Sequence, residues 1–111
     1  MARRPGVLVV LVTCPTPSSA RRMARVLLSK RLVACVNIVP GVDSWFWWKG
    51  KIDHSREVLL VLKTVVDKFE SVRRSILAHH PYQVPEVLAV ASSNGHGPYL
   101  EWVRSSVQQS R

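Results

Sequence analysis

The sequence predicts a single α+β domain, and three observations carry that expectation. Apolar stretches of strand type fall at Val7–Thr13, Val33–Val39 and Glu57–Val66. Stretches with helical apolar periodicity alternate with them, one after the first strand, one after the third and one closing the chain. Turn-forming residues sit at the joints: Pro15 and Pro17, Pro40–Gly41, Lys49–Gly50–Lys51, and Pro81. A length of 111 residues suits one compact domain, 1–111, with 1–6 expected as a flexible end.

The first strand, Val7–Thr13, is broken by Pro15 and Pro17, and Ser18 or Ser19 is then placed to cap a helix. Ala20, Met23, Ala24, Leu27 and Leu28 recur at helical spacing and make its apolar face, with Arg21, Arg22 and Arg25 opposite. Lys30 and Arg31 close it, where cations suit the negative end of the dipole. The second strand, Val33–Val39, bends at Pro40–Gly41 and resumes at Ser44 through Trp45–Phe46–Trp47–Trp48. After the turn at Lys49–Gly50–Lys51 the third strand returns, so the two form a long antiparallel hairpin. Asp67 with Glu70 resembles a capping box at the start of the second helix, and Phe69, Val72, Ile76 and Leu77 form its inner face. Pro81 stops that helix near His80. A fourth strand is expected over Val84–Ala91, a loop over Ser92–Gly97, and a last helix from Pro98 carrying Tyr99, Trp102, Val103 and Val107. The order β-α-β-β-α-β with an added helix is the split-βαβ, ferredoxin-like arrangement, an antiparallel sheet with helices on one face.

The hairpin is apolar on both sides. Strand side chains alternate, so Trp45 and Trp47 point one way and Phe46 and Trp48 the other. Val58, Leu60 and Leu62 likewise oppose Leu59 and Val61. One domain's helices cover one sheet face, which leaves the other face for a second copy of the chain. The alternative is that strand bends tuck the aromatics into their own domain.

The charge is lopsided. The net charge is +9, and residues 1–56 hold ten Lys or Arg against two acids. This skew favours an anionic partner over a neutral one, although the basic residues are scattered as on a solvated surface. No apolar run approaches the ~20 residues of a membrane span. Arg3–Arg4, Val7–Val12 and Cys14 superficially resemble a lipoprotein signal, but the apolar part is short of the roughly 7–15 residues needed and lacks small residues at a cleavage site. A cytoplasmic location is expected, with Cys14 and Cys35 reduced. An RNA-recognition motif would carry aromatics on its third strand, whereas here that strand reads EVLLVLKT, so nucleic acid is not an expected partner.

Candidate chemistry concentrates in HHPYQVPE, His79–Glu86. His79 and His80 are nitrogen donors of the kind copper, zinc and nickel accept, and Glu86 could reach back as a carboxylate ligand. Equally, a histidine at a helix end serves the dipole, and Glu86 could pair with Lys63. No Gly-rich phosphate loop, serine triad or carboxylate pair is present, and a Cys14–histidine nucleophile has no support in the spacing.

Taken together, VTCP at Val12–Pro15, RLVACVNIVPG at Arg31–Gly41, WKGK at Trp48–Lys51, EVLLVLKT at Glu57–Thr64, HHPYQVPE, and Tyr99-Leu-x-Trp102 resemble the CutA family, the divalent-cation tolerance proteins. The resemblance runs from about Val7 to Val107. It implies a ferredoxin-like, non-enzymatic subunit in a tight homotrimer of PII-like architecture, with the hairpin wrapping onto neighbours. It also implies a role in the response to metal ions and a Cu²⁺ site on His79 and His80 with Glu86 nearby, without an organic cofactor. The cysteine associated with that site in some bacterial members falls on Val12, and Cys14 lies two positions later. The family's usual tyrosine before W-x-G is Phe46, and Asp53–Arg56 is more basic than is typical. A second reading, a PII-like sensor, would bind a small anion in a subunit cleft lined by Lys63, Tyr82, Glu86, Tyr99 and Trp102.

Overall fold

The structure is a computed structural model and describes residues 4–108. Strand β1 (Val7–Cys14) leads into α1 (Pro17–Ser29), then β2 (Cys35–Trp48) and β3 (Lys51–Val65). A 3-10 turn over Val66–Lys68 precedes α2 (Phe69–His79), followed by β4 (Leu88–Ala91) and α3 (Gly97–Ser106). The strands form one antiparallel sheet in the order β2-β3-β1-β4. The α+β class and the long hairpin are therefore as the sequence indicates.

Three local features differ from expectation. Helix α1 is capped by Thr16, whose hydroxyl accepts from the Ser19 N–H at 3.1 Å, while the Ser19 hydroxyl takes the Thr16 N–H at 3.2 Å. Pro17 then occupies the first turn, where its missing donor costs nothing. Asp67 caps nothing: it lies in the 3-10 turn, and α2 starts at Phe69 behind Lys68. The fourth strand is only Leu88–Ala91, although β1 runs on to Cys14: Pro85 has no N–H to give, and the Thr13 carbonyl is taken by His80 Nε2.

Alternation along the strands divides the apolar residues between two faces. Val10, Val12, Cys14, Val58, Leu60 and Leu62 face α1 and α2, packing on Met23, Leu27, Val72 and Ile76 in the main core. Val7 and Val65, paired across β1 and β3, face the other way and pack on Val103 and Val107 of α3. Helix α3 thus covers one end of the second face, which corrects the expectation that all helices share one side. Arg104 Nε donating to the Pro5 carbonyl at 2.8 Å, and Val66 N–H donating to that of Gly6 at 2.9 Å, bind the chain's start to this end. Of the 1–6 segment, Arg4 to Gly6 are thus in contact with the domain, and residues 1–3 lie outside the described residues.

The rest of the second face is bare. It presents Val9 and Leu11 of β1, Leu59 and Val61 of β3, Val39 of β2, and Leu88 and Val90 of β4. Leu88 is 56% exposed and Val90 50%. A bulge between Val39 and Val42, with Gly41 at φ 74°, shifts the register of β2 by one. Beyond it the even residues Ser44, Phe46 and Trp48 join the face of Asp53 and Glu57. The hairpin tip extends past the helices, and Trp45, Trp47 and Trp48 are 63%, 74% and 58% exposed. Strand bends therefore do not bury the aromatics within the chain.

Candidate functional site

Helix α2 ends at His79 because Pro81 forces His80 into extended backbone, φ −85° and ψ 139°. The two neighbouring rings consequently go to different places. His80 turns inward and is 9% exposed. Its Nε2–H donates to the Thr13 carbonyl at 2.7 Å, and its Nδ1 accepts the Tyr82 N–H at 3.0 Å. These partners fix one neutral tautomer and occupy both ring nitrogens. The ring also lies 3.9 Å from Cys14 Sγ and 4.9 Å, centre to centre, from the Tyr82 ring. His79 stays outside, its Nδ1–H donating to the Ser75 carbonyl at 2.8 Å, which leaves Nε2 open. Glu86 is exposed, and among the described residues it has no ion pair; Lys63 is hydrogen-bonded to Asn37 instead.

The expected donor set is therefore dispersed within one chain. Among the described residues no three His, Cys, Asp or Glu side chains gather as a metal-holding group. His80 has no lone pair to offer while its two hydrogen bonds stand. The same geometry brings Cys14 and His80 together, which spacing did not suggest, yet removes their reactivity. The His80 proton is committed to a carbonyl, and burial pushes the Cys14 thiol above its ordinary value.

Beyond His80 the segment crosses the base of the hairpin. Tyr82 donates its hydroxyl to Glu57 Oε2 at 2.8 Å. Glu57, at the point where β3 enters the core, is only 7% exposed. Thr13, the hairpin face of Ser44, Phe46, Trp48 and Asp53, with Trp45 beside it, and the strip Tyr82–Glu86 enclose a cleft of about 750 Å³ above this pair. Of the residues proposed for a ligand cleft, Tyr82 and Glu86 line it; Lys63 lies further along β3, and the rings of Tyr99 and Trp102 on α3 are 5.7 Å apart, centre to centre, and tilted by 35°. Glu57 and Asp53 were missed by sequence reasoning. The available signal was a lone acid heading the apolar run VLLVL, a position where a carboxylate needs a partner.

Burial first, and then the Glu57 carboxylate beside it, push the Tyr82 hydroxyl up to about 12. A group with a raised folded pKa stabilises fully below its unfolded value near 10 and loses that contribution as pH rises through about 12. In an alkaline titration followed by phenolate absorbance, one of the two tyrosines is expected to ionise late, together with a loss of stability. Tyr82→Phe should remove that late step; if the step persists, the assignment fails.

Residues 8–106 match the family model described as CutA1 divalent ion tolerance protein. The chain belongs to the CutA1 family. It is 42% identical over 98 residues to the divalent-cation tolerance protein CutA of Thermus thermophilus, covering 88% of this chain and 95% of that protein. It is 41% identical over 103 residues to the chloroplastic protein CutA 1 of Oryza sativa, covering 93% of this chain. This CutA1 chain spans 58% of the rice protein's length and 56% of that of the human protein CutA. Among solved structures it superposes on CutA1 from Oryza sativa with a TM-score of 0.92 at 39% identity, covering 96% of this chain and 98% of that one. The Thermus thermophilus structure gives 0.89 at 41% identity, over 90% and 97% of the two chains. No helix among the described residues of this CutA1 chain is long and apolar enough to cross a membrane.

Proposed function

We propose that this CutA1-family chain serves divalent-cation tolerance as a non-enzymatic, PII-like homotrimer of ferredoxin-like subunits. The observation that carries the reading is the bare apolar sheet face of Val9, Leu11, Leu59, Val61, Leu88 and Val90. A face of this size and composition needs a cover, and three sheets closing on one another supply it by cyclic symmetry. The strand order supports the ferredoxin-like description. The two free cysteines suit a reducing, cytoplasmic setting. Sedimentation equilibrium tests the assembly: three chain masses are expected, and one chain mass overturns it.

Copper(II) is the cation this reading inherits from the family resemblance. Among the described residues the donors of one chain do not make a closed site for it, so coordination is completed by water or by ligands from another copy. His79 Nε2 and Glu86 are the open donors, and we place His80 outside the set. In a calorimetric Cu²⁺ titration of the assembled protein, His79→Ala should weaken binding by at least about tenfold. His80→Ala, provided it folds, should leave binding near the parent value. Equal loss in both variants would restore His80 as a ligand, and no binding by the parent would end the copper reading. The small-anion alternative has less support, since Asp53, Glu57 and Glu86 are the charged side chains along the cleft.

A further inference from the structure

Helices α1 and α2 lie side by side on the sheet face opposite the bare one, so their outer sides point away from the proposed contact between copies. This helical layer holds most of the chain's charge excess. Residues 17–31 carry five Lys or Arg and no acid, and residues 66–80 carry three against two acids, which places six of the nine net positive charges there. Arg21, Arg22 and Arg25 are exposed on α1, Lys30 follows at its end, and Arg74 is exposed on α2. None of these five forms an ion pair among the described residues; Glu70 is taken by Arg73, and Asp67 lies on the α3 side. Arg21 and Arg25 stand at i, i+4, and Arg22 and Arg25 at i, i+3, spacings at which like charges destabilise a helix. The fold gains nothing from this crowding, and an anionic partner would relieve it.

Two leucines select the kind of anion. Leu28 continues the stripe of Arg21 and Arg25, Leu77 follows Arg74 by three residues, and both are exposed. The exposed residues of the two helices include no Phe, Tyr, Trp, Asn or Gln. Nucleic-acid bases would find no ring to stack on, and the leucines gain nothing against phosphodiesters. A lipid surface suits both residue types, since its headgroup phosphates take guanidinium groups and its acyl boundary takes apolar side chains. Clusters of four to eight Lys or Arg on an amphipathic helix are the pattern that anionic lipids attract.

We propose that the outer face of α1 and α2 docks on an anionic phospholipid surface, peripherally and without spanning it. Arg21, Arg22, Arg25 and Arg74 donate to lipid phosphates, and Leu28 and Leu77 settle among the headgroups. The attraction is mainly electrostatic, so salt weakens it. It is independent of any metal the chain holds.

The test is cosedimentation of the whole chain with vesicles of phosphatidylcholine alone, or of phosphatidylcholine and phosphatidylglycerol at about three to one. Binding is expected to the anionic vesicles only, at about 0.1 M NaCl, and should fall away at about 0.5 M. Arg21→Gln/Arg25→Gln, which keeps helix propensity, should weaken it about 25-fold, since each cation near such a surface contributes about fivefold. Lys49→Gln/Lys51→Gln removes the same charge from the hairpin tip and should change it by less than about twofold. Leu28→Ser should weaken it roughly threefold through the apolar area returned to water. All the changed positions are exposed, so the fold should survive, and circular dichroism checks it. Absence of binding to the anionic vesicles, or equal binding to the neutral ones, overturns the proposal. Equal weakening by the two double variants overturns it as well, because the attraction would then reside in net charge or in the hairpin. Displacement of vesicle-bound protein by duplex DNA at equal phosphate concentration would make the face a nucleic-acid contact, and overturns it too.

Discussion

On the proposed homotrimer, Val61→Asp is expected to leave monomers. Val61 lies mid-strand on the face that α1 and α2 do not cover, next to Leu59 and across β1 from Leu11. In an isolated chain an aspartate there reaches water, because the face is open, so the fold of the subunit should survive. In the trimer each copy would bury that carboxylate against its neighbours. An unpaired buried charge costs at least about 3 kcal/mol, or roughly 9 kcal/mol over three copies. That corresponds to more than about a million-fold in the assembly constant. Sedimentation equilibrium with a circular-dichroism check on the subunit reads the result. An unchanged mass would mean that this sheet face is not the interface, and the proposed assembly would have to be built on the hairpin aromatics alone.

His80→Ala is expected to be the most destabilising single change in the histidine pair, with His79→Ala nearly silent. Removing the His80 ring strands the Thr13 carbonyl and the Tyr82 N–H in a nearly dry spot. Each unsatisfied group costs about 1–3 kcal/mol. A total of about 2 kcal/mol lowers Tm by on the order of 10 °C in a domain of this size. His79 is exposed, and its one ring hydrogen bond goes to a carbonyl in its own helix. Its loss should stay within about 0.5 kcal/mol. Thermal unfolding at one fixed protein concentration compares the two, since assembly makes Tm concentration-dependent. Equal shifts in the two variants would refute the division of the pair into an anchor and an open donor.

That division was beyond the reach of sequence. His79 and His80 are adjacent, identical in type and both at a helix end, and residue type alone made them equal candidates for a metal. Pro81 was legible as a helix stop, and the stop was found where expected. What it does to the next ring was not, because the direction of the His80 side chain depends on Thr13, 67 residues away. Glu57 was overlooked for the same reason. Its partner, Tyr82, lies 25 residues on and meets it only through the return of the chain across the hairpin. The helix starts were misread in a smaller way. Thr16 and Ser19 offered a capping box as good as Asp67 and Glu70 did, and which one forms depends on where the strand before it lets go.

The sequence by itself determined the α+β class, the element order, the long hairpin, the two-faced apolar pattern and the family. Each of these is carried by local periodicity, turn chemistry or a run of matching residues, none of which requires knowing what lies across the sheet. The tertiary structure alone decided which face stays bare, how the bulge at Gly41 moves Phe46 and Trp48 onto it, and that α3 covers only its far end. It also decided which histidine is free and that a buried carboxylate floors an aromatic cleft. The physical reason is common to all of them. Hydrogen-bond partners and counter-charges are pairings between distant segments, and a residue's chemistry is fixed by its pairing as much as by its type.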